Sequence, residues 1–214
     1  MRDSVTDERT DVVATRDGYD AMAERYVAFV EGLMDRQPFD RAMLRVFADV
    51  VRGPVVEVGC GPGRITAHLD ALGVEISGID LSPEMIRLAR TAYPGLSFGV
   101  AAMEDLDLPD GSLGGIVAWY SIIHTPPEHV PAILSKFARA LTEGGHLLLA
   151  FQTVDEPVTV IAREHTVARA YWWSVPGLEE VLRDNGFSTV ARMARAADPD
   201  EKGPQGYLLA TKAR

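Results

Sequence analysis

The chain has 214 residues, 47% of them hydrophobic, which is long enough to bury a substantial core and suits a single globular domain. A formal net charge of -10 and a sequence pI near 4.9 disfavour non-specific binding to nucleic acid or to an anionic membrane, so a small-molecule partner is expected. The single cysteine, Cys60, excludes an intramolecular disulfide, and no stretch approaches the roughly 18 consecutive apolar residues of a membrane span, which together predict a cytoplasmic protein.

The charged opening MRDSVTDERTD is expected to be a frayed, solvated tail. Over residues 18–33 the apolar side chains of Met22, Tyr26, Phe29, Val30 and Leu33 recur at spacings of three and four, which predicts an amphipathic helix. A second helix is expected over 38–51, with Met43, Leu44, Phe47 and Val51 on its inner face. Residues 55–58 read as a short buried strand, and the glycine loop after them leads into a helix over 64–72. A second strand is expected over 74–79, ending at Asp80. Ser82 suits an N-cap, Pro83 the first helical position and Glu84 the positive helix end, so LSPEMIRLAR starts a helix. Strands are expected at 96–100 and 116–120. Thr125 to Glu128 have capping-box spacing ahead of a helix reaching residue 141, which Gly144 and Gly145 should end before a strand over 146–152. Residues 154–173 show no clean period. A helix over 176–185, closed by Gly186, precedes two strands at 187–193 and 207–211 joined by the turn ADPDEKGPQG. Strands alternating with helices predict a parallel, helix-covered sheet, to which the terminal hairpin adds an antiparallel edge strand.

The stretch VVEVGCGPGR places Gly59, Gly61 and Gly63 in the loop after the first strand, where a doubly wound sheet binds its ligand. A dinucleotide fingerprint would put its third glycine at position 64, where this chain has Arg64. Asp80, at the end of the second strand, is placed to accept hydrogen bonds from both hydroxyls of a ribose. Loop and acid together fit either NAD or an adenosine ligand. Glu57 would repel a pyrophosphate but is tolerable beside a sulfonium or an amino group, or as an acceptor for the loop's own N–H groups. The alternative is a partly exposed structural acid.

In order, VVEVGCGPGR, GIDLSPEMI, AAMEDLDLPDGSLGGIVAWYSIIH and LTEGGHLLLAF resemble the consecutive motifs of class I S-adenosylmethionine-dependent methyltransferases, in the branch acting on small molecules, and the resemblance extends over residues 16–213. It implies an α/β, Rossmann-like doubly wound sheet of seven strands in the order 3-2-1-4-5-7-6, mostly parallel with an antiparallel last strand, plus N-terminal lid helices. The single domain would divide into lid helices at 1–52, a cofactor-binding core at 53–153, a substrate-side insert at 154–175 and a C-terminal helix and hairpin at 176–214. The implied cofactor is S-adenosyl-L-methionine, with no metal. Gly59, Cys60 and Gly61 would lie against its methionine portion and ribose, Asp80 would bind the ribose hydroxyls, and Leu81 and Met85 would flank the adenine. Met103 and Glu104 fall beside the adenine edge, and Glu57 and Tyr120 complete the cofactor-side set. Ala102 stands where many relatives carry an Asp that accepts from the adenine amino group, so that contact is lost or moved to Glu104. GYDAMAERY resembles the family's lid segment, with Tyr19 and Tyr26 facing the cofactor; packing in a helix core is the alternative for each.

For the acceptor side, His124 follows the fourth strand and reads either as a substrate-facing base or as a hydrogen bond at the start of the next helix. His165 lies in the irregular segment where relatives build acceptor pockets, while His68, His129 and His146 are expected at the surface. Tyr171, Trp172 and Trp173 either wall a pocket for a planar acceptor or pack over the sheet edge. These residues predict methyl transfer to a small-molecule acceptor, at oxygen, by in-line displacement. Three rivals remain at this stage. A nucleic-acid N-methyltransferase would need an acid or Asn and an aromatic flanking the prolines of HTPPE, an NAD-dependent oxidoreductase is opposed by Arg64 and by the lack of a Tyr-x-x-x-Lys pair, and a cofactor-binding protein need not transfer a methyl group at all. Residues 154–173 do not encode the acceptor, and the oligomeric state, a homodimer included, is open.

Overall fold

The computed structural model describes residues 9–155 and 157–213. At its centre β1 (Val55–Val58), buried along its whole length, pairs in parallel with β2 (Ile76–Asp80) on one side and β4 (Leu113–Trp119) on the other. β3 (Ser97–Val100) continues the sheet beyond β2, and β5 (Leu141–Gln152) continues it beyond β4, both in parallel. Next to β5 lies β9 (Gln205–Lys212), antiparallel to it, and β8 (Phe187–Arg195) pairs antiparallel with β9. The order β3-β2-β1-β4-β5-β9-β8 is 3-2-1-4-5-7-6 once the strands of this sheet alone are counted. The antiparallel strand sits inside the sheet, however, and β8 rather than the last strand forms its edge. β9 is buried over six consecutive residues, whereas β8 alternates buried or half-buried with exposed positions, as a strand with one wet face must.

Strand alternation divides the core in two. Ile116 and Ala118 of β4 and Leu147, Leu149 and Phe151 of β5 face the helices α6 (Val130–Ala140) and α7 (Val175–Asp184), which supply Ile133, Phe137 and Leu178. Val117, Trp119, Leu148 and Ala150 face the opposite way, toward Leu44 and Phe47 of α3 (Pro38–Val50) and Ile65 and Leu69 of α4 (Arg64–Ala71). α5 (Pro83–Ala92) starts as expected: Pro83 occupies its first turn and the Ser82 hydroxyl accepts from the Met85 N–H at 3.0 Å.

Five expectations change. The N-terminal helix α1 (Thr10–Val30) begins inside the segment read as a solvated tail, with Val12 buried; residues 1–8 lie outside the described residues. A short turn, α2 (Leu33–Arg36), separates it from α3. The capping box at Thr125 does not form, because after the 3-10 turn over Ile122–His124 the chain turns again at 127–129 and α6 starts at Val130, behind His129. α6 ends at Ala140, where Leu141 turns extended and pairs with Leu113, so Gly144 and Gly145 lie within β5 instead of closing the helix. Finally, residues 154–173 contain an antiparallel pair, β6 (Val160–Arg163) and β7 (Ala170–Trp173), outside the main sheet.

Candidate active site at the carboxyl ends of the strands

The glycine loop is built by its neighbours. The N–H groups of Gly59 and Cys60 both donate to the Ile79 carbonyl, at 2.7 and 3.0 Å, which pins the loop to the end of β2. Gly59 has φ +76, and a Cβ there would stand 2.2 Å from the Cβ of Ser121, so only glycine fits. Ser121 in turn donates to the Val58 carbonyl at 2.6 Å and ties the loop after β4 to the loop after β1. Between them Tyr120 adopts φ 53, a backbone conformation few side chains tolerate and one that functional sites collect.

Asp80 is held by the same loop. One carboxylate oxygen accepts from the Gly61 N–H at 2.7 Å and the other from the Ser82 N–H at 2.8 Å, and each keeps a lone pair for a ligand hydroxyl. Burial pushes its pKa up to about 6 in spite of these donors, and the charge of Asp20 adds to the rise. Asp20 belongs to α1 and reaches across to accept from the Ser82 hydroxyl at 2.5 Å and the Glu84 N–H at 3.2 Å. Arg9 donates to the Glu104 carboxylate at 3.2 Å on the far side. The first helix therefore spans the site as a roof fastened at two points.

Beneath that roof lies a cavity of about 780 Å³, open mouth included. Its walls bring together Gly59, Gly61, Asp80, Leu81 and Met85, then Met103 and Glu104, and on the other side Tyr19, Tyr26, Tyr120 and His124. Four expected site residues are not among them. Glu57 follows the strand alternation to the opposite face from Val56 and Val58, where it accepts from the Thr66 hydroxyl at 2.5 Å and burial pushes its carboxyl up to about 8. Cys60 turns its thiol down among Ile86, Ala89 and Phe98, where burial raises its pKa and leaves it inert. Ala102 only precedes the 3-10 turn Met103–Asp105. His165 stands behind His124, with ring centroids 5.0 Å apart.

Other residues were missed. Asp11, Val12 and Thr15 line the cavity from the first turns of α1, and their fourfold spacing with Tyr19 was the available signal. Trp119 and Ser121 also line it, beside the strained Tyr120. Tyr171, Trp172 and Trp173 do not reach it: Trp173 packs in the core, and the face of Trp172 lies under Arg163 at 5.4 Å. His68, His129 and His146, expected at the surface, are half-buried and stand away from the cavity.

His124 has a defined protonation pattern. Its Nδ1 lies 3.0 Å from the Arg169 carbonyl oxygen, which can only accept, so Nδ1 carries the proton. Burial lowers the pKa of His124, and His165 is pushed down to about 4 by burial and then by His124 and Lys202. Both rings are neutral at pH 7, and the bare Nε2 of His124 meets the Tyr19 hydroxyl at 2.9 Å.

S-adenosylmethionine would need an acceptor for its ribose diol, an apolar slot for its adenine and walls that tolerate a sulfonium. The spare lone pairs of Asp80, the side chains of Leu81, Met85 and Met103, and the aromatic rings of Tyr19 and Tyr26 in the cavity wall meet those needs. Among the described residues no His, Cys, Asp or Glu cluster could hold a metal ion, and no helix is long and apolar enough to cross a membrane.

Residues 55–145 match the family described as "Methyltransferase domain". An O-methyltransferase, cnsE, from Penicillium expansum is 29% identical over 146 residues, 64% of this chain and 52% of that protein, so the chain spans about half the length of this relative. Among solved structures, magnesium protoporphyrin IX methyltransferase from Synechocystis with bound SAM superposes with a TM-score of 0.73 at 19% identity, covering 96% of this chain and 98% of that one. The 1,6-didemethyltoxoflavin-N1-methyltransferase of Burkholderia thailandensis, with bound 1,6-didemethyltoxoflavin and S-adenosylhomocysteine, gives 0.67 at 21% identity over 93% and 91% of the two chains. Motif order, sheet order and domain match point the same way: residues 55–145 match a methyltransferase domain, and the chain has the Rossmann-like fold of its methyltransferase neighbours.

Proposed function

We propose that this protein transfers a methyl group from S-adenosylmethionine to an oxygen atom of a small-molecule acceptor by in-line displacement. The observation that carries the oxygen assignment is the neutral His124 at the cavity wall, whose proton is fixed on Nδ1 and whose Nε2, facing the Tyr19 hydroxyl, is left as a proton acceptor. A hydroxyl acceptor must lose a proton as it gains the methyl group, and a positioned histidine supplies about 10²–10⁴ of rate for that step. An amine acceptor that arrives uncharged needs no base in the same step.

When bound, the sulfonium supplies an electrophilic methyl group and departs as a neutral thioether. The chain's own contribution is alignment and dryness. Alignment alone is worth about 7–11 kcal/mol where the reacting atoms are held in line. Asp80 and the glycine loop hold the donor end, the roof formed by α1 excludes water, and the rings of Tyr19, Tyr26 and Tyr120 narrow the space left for the acceptor. The net charge of -10 favours a small acceptor over a nucleic acid. The Penicillium relative, named an O-methyltransferase, supports oxygen; the Burkholderia structure, named for methylation at N1, makes the atom the point to test.

The test is incubation with methyl-labelled S-adenosylmethionine and metabolite extracts, followed by identification of the labelled product. Label on an ether or ester oxygen is the expected result. Label on nitrogen or carbon refutes the oxygen assignment, and no labelled product refutes methyl transfer. In the same assay His124→Ala lowers turnover more than cofactor affinity.

A further inference from the structure

We propose that Tyr19, not His124, receives the acceptor's proton, and that it passes its own hydroxyl proton to His124 in the same step. This rests on the reading of the protein as an oxygen-directed methyltransferase. The geometry behind it is a short ordered chain. The Arg169 carbonyl fixes the His124 proton on Nδ1, which leaves Nε2 as an acceptor, and the Tyr19 oxygen lies 2.9 Å from that Nε2. Of the two atoms only the hydroxyl has a hydrogen to give. Tyr19 is thus the donor, and both lone pairs of its oxygen are left for other partners; among the described residues no other side chain or backbone group bonds to it.

The Nε2 lone pair is therefore already taken, and a substrate hydroxyl that approaches the cavity wall meets the oxygen of Tyr19 first. His124 is buried, 8% exposed, and its ring is boxed in edge-on by Tyr19 and by His165, at 5.5 and 5.0 Å between centroids. Tyr19 lines the cavity from the roofing helix and is itself braced edge-on by Tyr26, at 5.8 Å. A direct transfer to Nε2 would require the roof to lift, and the roof is what keeps water out.

The balance of the step is simple. The acceptor oxygen forms its bond to the methyl carbon as the sulfur–methyl bond breaks with its electron pair staying on sulfur. The acceptor's proton moves to the Tyr19 oxygen, the Tyr19 proton moves to Nε2, and the product is a His124 imidazolium with Nδ1 still donating to Arg169. Burial and the nearby Tyr26 and Asp80 raise the pKa of Tyr19 well above the usual phenol value, so a free tyrosinate is disfavoured and the two proton movements belong to one event. Tyr120 has the same polarity on the other wall. Tyr207 donates to Asp40 at 2.5 Å and accepts from Arg195 at 3.1 Å, so the Tyr120 hydroxyl, 3.4 Å away, is the donor toward Tyr207.

Long-range ¹H–¹⁵N correlation spectra of the full chain with labelled histidine, bound to S-adenosylhomocysteine, read which ring nitrogen of His124 is protonated, and His124→Gln assigns the signals. The expected state is protonated Nδ1 and bare Nε2. Phenol, used as the acceptor probe, should shift the Nε2 signal, and Tyr19→Phe should abolish that shift and weaken phenol binding about tenfold, the worth of one hydrogen bond. A proton on Nε2 overturns the relay, because Tyr19 would then be the acceptor. An undiminished phenol shift in Tyr19→Phe overturns it as well. Failure of the wild-type protein to bind S-adenosylhomocysteine, or labelled methyl found on nitrogen, overturns instead the reading on which the relay rests.

Discussion

Gly59→Ala tests the join between the two loops that make the site. The added methyl group would stand 2.2 Å from the Cβ of Ser121 and 2.9 Å from its Oγ, far inside the about 3.5–4.0 Å at which carbon atoms rest. Ser121 cannot simply withdraw, because its hydroxyl is bonded to the Val58 carbonyl at 2.6 Å and its neighbour Tyr120 is already at φ 53. Two costs add. A side chain at φ +76 costs about 1–2 kcal/mol, and overpacking of this kind about 1–3 kcal/mol, for a total of about 2–5 kcal/mol. Against a typical stability of about 5–15 kcal/mol this is a large loss, readable by equilibrium urea unfolding. Ser121→Gly alone should cost about 1 kcal/mol for its hydrogen bond, yet in combination with Gly59→Ala it should restore stability by removing the clash. The expected coupling between the two sites is about 1–3 kcal/mol. Additive effects, or a Gly59→Ala protein as stable as wild type, would refute the packing described for these loops.

Asp80→Asn should weaken S-adenosylhomocysteine binding by about ten- to a hundredfold in calorimetry, the worth of a charge-assisted hydrogen bond; equal affinity would place the ribose elsewhere. Because the Asp80 carboxyl is raised to about 6, wild-type affinity should also decline as the pH falls through that value. Glu57 has a folded-state pKa raised to about 8, so the folded protein holds a proton that the unfolded chain releases, and the stability it confers below its ordinary pKa of 4.5 is lost as the pH rises through 8. Glu57→Gln should flatten that decline in thermal unfolding, and parallel curves for the two proteins would contradict it. Tyr207→Phe removes the one hydrogen-bond donor to Asp40 among the described residues, leaving only the Arg195 guanidinium at 3.9 Å beside a side chain 1% exposed, and should destabilise by about 1–3 kcal/mol. An unchanged melting temperature would mean that Asp40 finds another donor.

The centre of the sheet was legible because β1 is short, buried and largely apolar, and because the first two strands lead into segments with their own chemistry: glycines after β1, Asp80 at the end of β2, Ser82 and Pro83 at the start of α5. The misreadings have physical causes of their own. Glu57 carries the right chemistry for a sulfonium neighbour, but a strand's period of two sends it to the far face, and that parity should have been applied from Val56 and Val58. Thr125 has the spacing and the extended backbone of a cap, but residues 127–129 form a turn and the helix begins only at Val130. β6 and β7 left no periodic trace because neither has one face fully buried: β6 is half-buried or exposed throughout. The opening turns of α1 looked polar because Asp11 and Thr15 face a cavity instead of a core. No spacing rule could have paired Tyr19 with His124, whose meeting depends on how the first helix crosses the finished sheet.

That crossing has one more consequence. A Cβ at Gly18 would lie 2.7 Å from both a methyl carbon and the carbonyl oxygen of Val167, so the roofing helix rests backbone-close on the tip of the β6–β7 hairpin. Hairpin tips are where related proteins lengthen, shorten and vary most freely. Here such freedom is curtailed: a residue gained or lost between Arg163 and Ala170 would tilt the helix that carries Tyr19, Asp20 and Tyr26. Under the proposed function, changing the acceptor and changing the grip on the methyl donor are, for this chain, a single design problem.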